Sequence, residues 1–305
     1  MDMTMKVLLV NPPFPESYYN RELYLPSSLM YLASALQHNG EEVQILDLRL
    51  PKYETLDKCD AHFANILTRK IRSFSPELIG FGCLFSGVFP EMLRLSGVCK
   101  VAAPDVPVVI GGIHPTIYAT EILSKCPAVD WIVLAEGEET VIQLVNQLKT
   151  GRKAFNVLDG FAWRSDGRIV CQEKTRFIEN PDTISFPAYD LINFDDYVVD
   201  TSNWFNPKGL PIGTSVPILS SRSCPMRCSF CSMFRVMGPR WRPRSPTNVV
   251  DEIEWLYRHC QRRHFSFIDD NLSLDKSRVL DICRQIHERK LDLQFETPNG
   301  LAIKS

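Results

Sequence analysis

Three cysteines fall within eight residues, Cys224-Pro225-Met226-Arg227-Cys228-Ser229-Phe230-Cys231, spaced C-x3-C-x2-C. Soft thiolate ligands select zinc or iron–sulfur centres, so thiolates on one loop read as a metal site. An apolar run, Val216-Pro217-Ile218-Leu219, leads into the loop and reads as a buried strand. A structural zinc site takes four ligands, usually with a second pair further along the chain. The run supplies three. Three thiolates on a cubic 4Fe–4S cluster leave one iron open to a ligand that is not protein. A zinc knuckle or a redox-active cysteine pair is the competing reading of the same residues.

A second set of chemically able residues is scattered through the first half but shares one kind of position. Asn11-Pro12-Pro13, Gly82-Cys83-Leu84-Phe85-Ser86, Gly111-Gly112-Ile113-His114-Pro115 and Ala135-Glu136-Gly137-Glu138-Glu139 each follow a short apolar run. In an open parallel sheet, ligands bind beyond the carboxyl ends of the strands. Glycines there let the backbone approach a ligand closely. None of the four is G-x-G-x-x-G, so a dinucleotide is not indicated. A third set closes two strand-like runs in the second half: Asp269-Asp270-Asn271 and Glu296-Thr297-Pro298-Asn299-Gly300. Carboxylates and carboxamides accept hydrogen bonds from an ammonium group. The plainer role there is a helix N-cap by Asn271 or Ser273. Arg235, Arg240, Arg242 and Arg244 make the stretch after the cysteines basic, as a solvated loop or as a positive rim facing an anion.

The elements that must position these groups follow from hydrophobic patterning. Short apolar runs at Lys6–Val10, Val43–Leu48, Leu78–Gly82, Val106–Ile110 and Trp131–Leu134 alternate with helical patterns. Pro26-Ser27-Ser28 opens the first helix, with serine as its cap and Gly40 at its stop. Phe63, Ile66, Leu67 and Ile71 mark the next, and Glu138 to Leu148 the last. Strand–helix alternation of this kind predicts a doubly wound, flavodoxin-like or Rossmann-like parallel sheet over residues 1–150. Residues 151–212 break the pattern with a hairpin turning at Ser165-Asp166-Gly167, then proline-rich turns. Tyr189, Phe194, Tyr197, Trp204 and Phe205 pack this connector down. From 213 to 305, a helix capped at Ser245-Pro246, a strand His264–Ile268, a helix from about Asp275 to Glu288 and a strand Leu291–Phe295 give the opening of a parallel β/α barrel.

Composition excludes several classes. Of 305 residues, 45% are hydrophobic and 23% charged, ordinary for a globular chain of about two domains. A formal charge of −2 offers no basic field for nucleic acid. No run is long enough to span a membrane, and Met1 to Lys6 does not read as a signal peptide. Ten cysteines in such a chain point to a reducing cytoplasm. Cys59, Cys83, Cys99, Cys126, Cys171, Cys260 and Cys283 read as small buried hydrophobes rather than ligands.

The cysteine spacing, Phe230 ahead of the third cysteine and the strand before the loop resemble the radical S-adenosylmethionine family. The resemblance implies that Cys224, Cys228 and Cys231 hold a 4Fe–4S cluster whose open iron takes the amino and carboxylate groups of S-adenosylmethionine. Phe230 would lie against the adenine. Asp269, Asp270 and Asn271 stand where the family carries a G-G-E-like motif for the amino group, with Glu296 and Asn299 as further contacts. No catalytic residue is assigned beyond the cluster. Residues 5–150 resemble the cobalamin-binding domain that precedes many radical S-adenosylmethionine domains, chiefly in Gly111-Gly112-Ile113-His114-Pro115 and Glu136-Gly137-Glu138. On that resemblance Asn11, Pro12, Cys83, Ser86, Gly111, Gly112, His114, Glu136, Gly137 and Glu138 contact cobalamin. The D-x-H-x-x-G motif of other cobalamin domains, whose histidine ligates cobalt, is replaced here by Asn11-Pro12-Pro13-Phe14-Pro15-Glu16, so no protein ligand to cobalt is assigned.

The resemblance implies a radical enzyme fed by a flavodoxin- or ferredoxin-type reductant and acting on a small molecule. The expected reaction is methylation of an unactivated carbon, or oxidative cyclisation of the anaerobic magnesium-protoporphyrin ester type. A non-catalytic zinc-binding protein is the reading from another class. Three strands of the family barrel can be counted, so the sequence is read as a C-terminally truncated piece, itself without turnover.

Overall fold

The computed structural model describes residues 4–15, 23–50, 60–198 and 214–301. The chain divides into two compact units. One comprises Met1–Arg21, Pro26–Phe177 and Pro187–Ile192, and the other Glu22–Leu25, Ile178–Phe186 and Asn193–Ser305. The stretch 151–212 is thus shared between them.

In the first unit the chain runs β1 (Lys6–Asn11), α1 (Ser27–His38), β2 (Glu42–Asp47), α2 (Asp60–Phe74), β3 (Leu78–Gly82), α3 (Phe89–Ala102), β4 (Val108–Gly111), α4 (Ile113–Lys125), β5 (Trp131–Val133) and α5 (Glu138–Lys149). A hairpin follows, β6 (Phe161–Ser165) and β7 (Arg168–Gln172). The strands form one sheet in the order β2-β1-β3-β4-β5-β6-β7. The first five are parallel, and the order reverses between β1 and β3, as in flavodoxin-type sheets. Strands buried on both sides must be apolar at successive positions. Accordingly Leu8, Val10, Ile79, Phe81, Ile110 and Ile132 share a core with Leu67, Met92, Leu95 and Ile122 of α2, α3 and α4. Val7, Leu9, Leu78, Val109 and Val133 share a second core with Leu29, Leu36, Leu144 and Val145 of α1 and α5.

Two local features differ from the expectation. The N-cap of α1 is Pro26, which makes no side-chain capping hydrogen bond, so serine begins the first turn instead of preceding it. The hairpin is not a free connector feature: β6 pairs antiparallel with β5 and extends the sheet. Its turn is Asp166-Gly167, both at positive φ (49° and 74°), the combination a two-residue type I′ turn requires.

The second unit runs β8 (Val216–Ile218), β9 (Ser221–Arg222), α6 (Met233–Val236), β10 (Arg242–Pro243), α7 (Pro246–His259), β11 (His264–Phe267), α8 (Lys276–Glu288) and β12 (Gln294–Glu296). β8, β11 and β12 lie side by side and parallel, the strand order of an opening β/α barrel. In register, Val216, Phe265 and Phe295 share one face with Ile218 and Phe267, while Ser266 and Glu296 share the other. The Ser245 hydroxyl caps α7 by accepting from the Asn248 N–H. The cap of α8 is Asp275, accepting from Arg278 N–H, and neither Asn271 nor Ser273 serves in that role. Tyr189, Phe194 and Tyr197 are buried as expected, whereas Trp204 and Phe205 lie outside the described residues.

Candidate cofactor sites

In the first unit the predicted residues gather at the carboxyl edge of the sheet but divide into two kinds. Asn11 is buried and donates from Nδ2 to Asp47 Oδ1 at 3.0 Å, and the Pro12 carbonyl accepts from Arg49 Nε at 3.0 Å. Both tie the β1 exit to the β2 exit. Cys83 is fully buried, and burial pushes its thiol up to about 12, so it is a packed thiol and not a thiolate ligand. Glu136 and Glu138 are buried too.

Ser86, Gly111, Gly112, His114 and Gly137 are accessible to different degrees. Gly112 sits at φ 113°, and a Cβ there would meet the Cys83 carbonyl oxygen at 2.4 Å. Only glycine lets β3 and the start of α4 come this close. His114 Nδ1 lies 2.9 Å from the Ser86 hydroxyl, and its ring packs on Phe89 (4.2 Å) and Tyr118 (4.8 Å). Burial lowers its pKa, favouring the neutral imidazole. Leu84, Phe85, Ile117 and Tyr118 are exposed around it. This edge presents a hydroxyl, an imidazole and apolar surface together, a donor and contact set suited to a large, flat, partly apolar cofactor.

In the second unit β9 and β10 pair antiparallel, Arg222 with Arg242 and Ser221 with Pro243, and close a loop over 223–241 that carries the cysteines. Ser223, at φ 67°, donates its hydroxyl to the Gly238 carbonyl across the loop base. Cys231 N–H donates to the Cys228 carbonyl at 3.0 Å, and Met233 N–H points at Cys231 Sγ at 3.5 Å. Cys228 is exposed, Cys224 and Cys231 are half-buried, and all three are free thiols. Among the described residues no three His, Cys, Asp or Glu side chains already converge on a metal position. The fit to a cluster is therefore one of donor chemistry: three free soft ligands on one loop, one already receiving an N–H. Phe230 projects from the loop, 90% exposed, next to a 61% exposed Met226.

The residues expected to face S-adenosylmethionine separate in the same way. Asp269 is 1% exposed and turned inward. Its carboxylate accepts from Ser220 N–H at 3.1 Å, from the Ser220 hydroxyl at 2.8 Å and from the Ser221 hydroxyl. Burial nevertheless raises its pKa, against those hydrogen bonds and the charge of Arg278. Asp270 is half-buried, and burial and then Asp269 raise its pKa. Asn271 is 7% exposed and its Oδ1 is buried without a hydrogen-bond partner. Asn299 Nδ2 donates to the carbonyls of Ile268 and Asp269, both at 3.1 Å, so it holds the β11 exit. Glu296 accepts from the Ser215 hydroxyl at 3.1 Å.

Arg242 and Arg244 are neither a solvated loop nor a rim. Each is 5% exposed. Arg242 donates to the carbonyls of Ile178 and Met237, and Arg244 to Glu252, Asn248 and the Leu219 carbonyl. Arg278 donates to the carbonyls of Arg244 and Ser220. The patterning did carry a signal. Arg278 shares a helical stripe with Ile282 and Ile286, and Glu252 sits among Val249, Ile253 and Leu256. A charge inside an apolar stripe marks a buried, paired group. Of the scattered cysteines expected to be buried, Cys83 and Cys99 are, Cys126, Cys260 and Cys283 are half-buried, Cys171 is exposed, and Cys59 lies outside the described residues.

Residues 22–145 match the B12-binding domain family model. An uncharacterized methyltransferase of Pyrococcus horikoshii is 31% identical over 294 residues, 95% of this chain and 59% of that protein. An anaerobic magnesium-protoporphyrin IX monomethyl ester cyclase of Synechocystis is 29% identical over 92% of this chain and 53% of its own length. The chain belongs to the cobalamin-binding radical S-adenosylmethionine enzymes. The fold agrees with that family. The radical S-adenosylmethionine methyltransferase TsrM of Kitasatospora setae, solved with cobalamin and a 4Fe–4S cluster, superposes with a TM-score of 0.69 at 22% identity, over 94% of this chain and 52% of that one. The chain thus spans between half and three-fifths of the length of these family relatives. No helix among the described residues is long and apolar enough to cross a membrane.

Proposed function

We propose that this chain is the cofactor-bearing part of a cobalamin-dependent radical S-adenosylmethionine enzyme that methylates an unactivated carbon of a small molecule. The observation that carries the reading is the pairing, in one chain, of a flavodoxin-ordered sheet with an accessible carboxyl edge and a loop of three free thiols. In this reading residues 1–150 hold cobalamin, 151–212 connect, and 213–305 begin the radical domain. When bound, the cluster, S-adenosylmethionine and cobalamin supply one-electron sulfonium cleavage and a transferable methyl group.

The residues of the chain bind and orient. Cys224, Cys228 and Cys231 offer the thiolates. Asn271 Oδ1, buried and unpartnered, is the acceptor best suited to the ammonium of S-adenosylmethionine, because an unmet buried acceptor costs free energy until a donor arrives. Asp270 stands beside it, and Phe230 offers an exposed ring for the adenine. Asn11, Pro12, Cys83, Glu136 and Glu138 shape the cobalamin edge from behind, and Gly111, Gly112, Gly137, Ser86 and His114 face it. His114 is read as a peripheral contact, its ring packed against Phe89 and Tyr118 with Nδ1 at the Ser86 hydroxyl. The likeness to the cyclase over 92% of the chain favours oxidative ring closure as the second reading. Nine free cysteines among the described residues support a reducing, cytoplasmic setting, with a flavodoxin- or ferredoxin-type protein as reductant.

The test is anaerobic reconstitution with iron and sulfide. The expected product binds about four irons per chain, gives a reduced-cluster paramagnetic signal that shifts on adding S-adenosylmethionine, and retains hydroxocobalamin through desalting. Colourless, zinc-loaded protein whose cysteine variants merely unfold would sink the reading in favour of a zinc-binding protein.

A further inference from the structure

Asp269 was expected at the ligand, yet its side chain is buried and spends its acceptors on the chain just ahead of the cysteines. Both oxygens are engaged by Ser220 and Ser221. Ser221 belongs to β9, whose bridge to β10 closes the base of the cysteine loop, and Cys224 follows three residues later. The same short stretch is held from its other side. The Ser220 carbonyl accepts from Arg278 and from Arg244 N–H, and the Leu219 carbonyl from the Arg244 guanidinium. Asp269 thus stands at the β11 exit as the carboxylate hub of a buried lattice whose other members end at 219–221. Buried hydrogen-bond networks rigidify their surroundings where their members are paired, and here only Arg278 Nη1 among the groups named is without a partner.

We propose that Asp269 is a positioning residue that fixes the take-off of the cysteine loop, so that the three thiolates meet one cluster, and that it does not contact S-adenosylmethionine. This rests on the cluster reading above. It separates two neighbours that sequence alone groups together: Asn271 Oδ1 is without a partner, while both oxygens of Asp269 are already engaged. It also links ligand and cluster, because one strand exit carries both the acceptor at 271 and the anchor at 269.

The test compares the anaerobically reconstituted wild-type chain with Asp269→Ala, Asp269→Asn, Ser221→Ala and, as a control for general destabilisation, Asp251→Asn, which loses an exposed ion pair to Arg289 between α7 and α8. Iron per chain, the rate of cluster loss to a chelator and the S-adenosylmethionine-induced shift of the cluster signal are read together. Loss of hydrogen bonds to a buried charged acceptor should speed cluster loss about tenfold in Asp269→Ala. Asp269→Asn should recover part of this, because its Oδ1 still accepts from Ser220 N–H and the serine hydroxyls can turn to accept from its amide. Ser221→Ala should show the same lability, with little added effect in the double variant with Asp269→Asn, and Asp251→Asn should leave the cluster as in wild type.

If Asp269→Ala fails to fold, the Asp269→Asn and Ser221→Ala cycle decides: additive effects overturn the proposal, non-additive effects support it. If Asp269→Ala keeps wild-type iron and chelator resistance but loses the response to S-adenosylmethionine, Asp269 is a ligand contact and the proposal falls. A wild-type chain that takes up no iron overturns the cluster reading itself, and the inference with it.

Discussion

Replacing Gly112 by alanine tests the geometry of the candidate cobalamin edge most sharply. Gly112 has φ 113° and ψ −171°, a region open essentially to glycine alone. Holding a side-chain-bearing residue there costs about 1–3 kcal/mol. The added Cβ would also stand 2.4 Å from the Cys83 carbonyl oxygen and 2.8 Å from its carbon. These are backbone atoms and cannot swing aside. Cys83 N–H is held by the Gly111 carbonyl at 2.8 Å, so retreat breaks a hydrogen bond between the β3 and β4 exits. Overpacking of this kind adds about 1–3 kcal/mol, for a total of about 2–6 kcal/mol. Gly40 provides the comparison. It has φ 89° but nothing within 4 Å of its would-be Cβ, so Gly40→Ala should lose only the backbone part, about 1–2 kcal/mol. Equilibrium urea unfolding by circular dichroism gives both numbers, and hydroxocobalamin retention reports whether the edge is rearranged. If Gly112→Ala loses no more stability than Gly40→Ala and keeps the corrinoid, the close approach of β3 to α4 is not the constraint argued for.

Three further outcomes follow from named groups. Burial lowers the His114 pKa below its ordinary 6.5, so the unfolded chain binds that proton first and stability falls as pH drops through 6.5 towards the folded value. Urea midpoints between about pH 5.5 and 7.5 should slope less in His114→Gln than in wild type, and equal slopes refute the assignment. Asn271→Ala removes an unmet buried acceptor, so the ligand-free chain should hold or gain up to about 1–3 kcal/mol while affinity for S-adenosylmethionine falls at least about tenfold. A destabilised variant with unchanged affinity would show that Asn271 is structural. Iodoacetamide labelling of the native chain followed by mass spectrometry should modify Cys228 early and spare Cys83 and Cys99, whose burial raises both thiols to about 12. Early loss of Cys83 would mean that the carboxyl edge opens in solution.

The parallel sheet of the first unit was readable because short apolar runs alternate with helical patterns, β1 stops before Pro12, and β3 and β4 end at Gly82 and Gly111. That pattern has few parallel solutions. The Asp166-Gly167 turn and the Ser245 cap were readable for local reasons, since each depends on backbone groups within four residues. The direction of Asp269 was not. Of the three polar residues at this strand exit Asp269 and Asn271 are both buried, and the partners that take up Asp269, Ser220 and Ser221, lie 49 and 48 residues earlier. Arg242 and Arg244 misled for a related reason. A run of arginines looks solvated until the carbonyls that consume it are brought in from 178, 219 and 237. The hairpin was recognised but not its destination, because only the free edge of β5 reveals what it pairs with.

The bridge between β9 and β10 has a consequence for the life of the protein in air. Two paired residues on each side tie the cysteine loop off from β8 and β11, whose hydrogen bonds lie outside it. Oxidative loss of a cluster would then disorganise residues 223–241 while the parallel strands and their helices stay paired. If the loop holds the cluster proposed above, a chain that had lost it would stay a folded recipient for iron and sulfide, a candidate for repair before degradation.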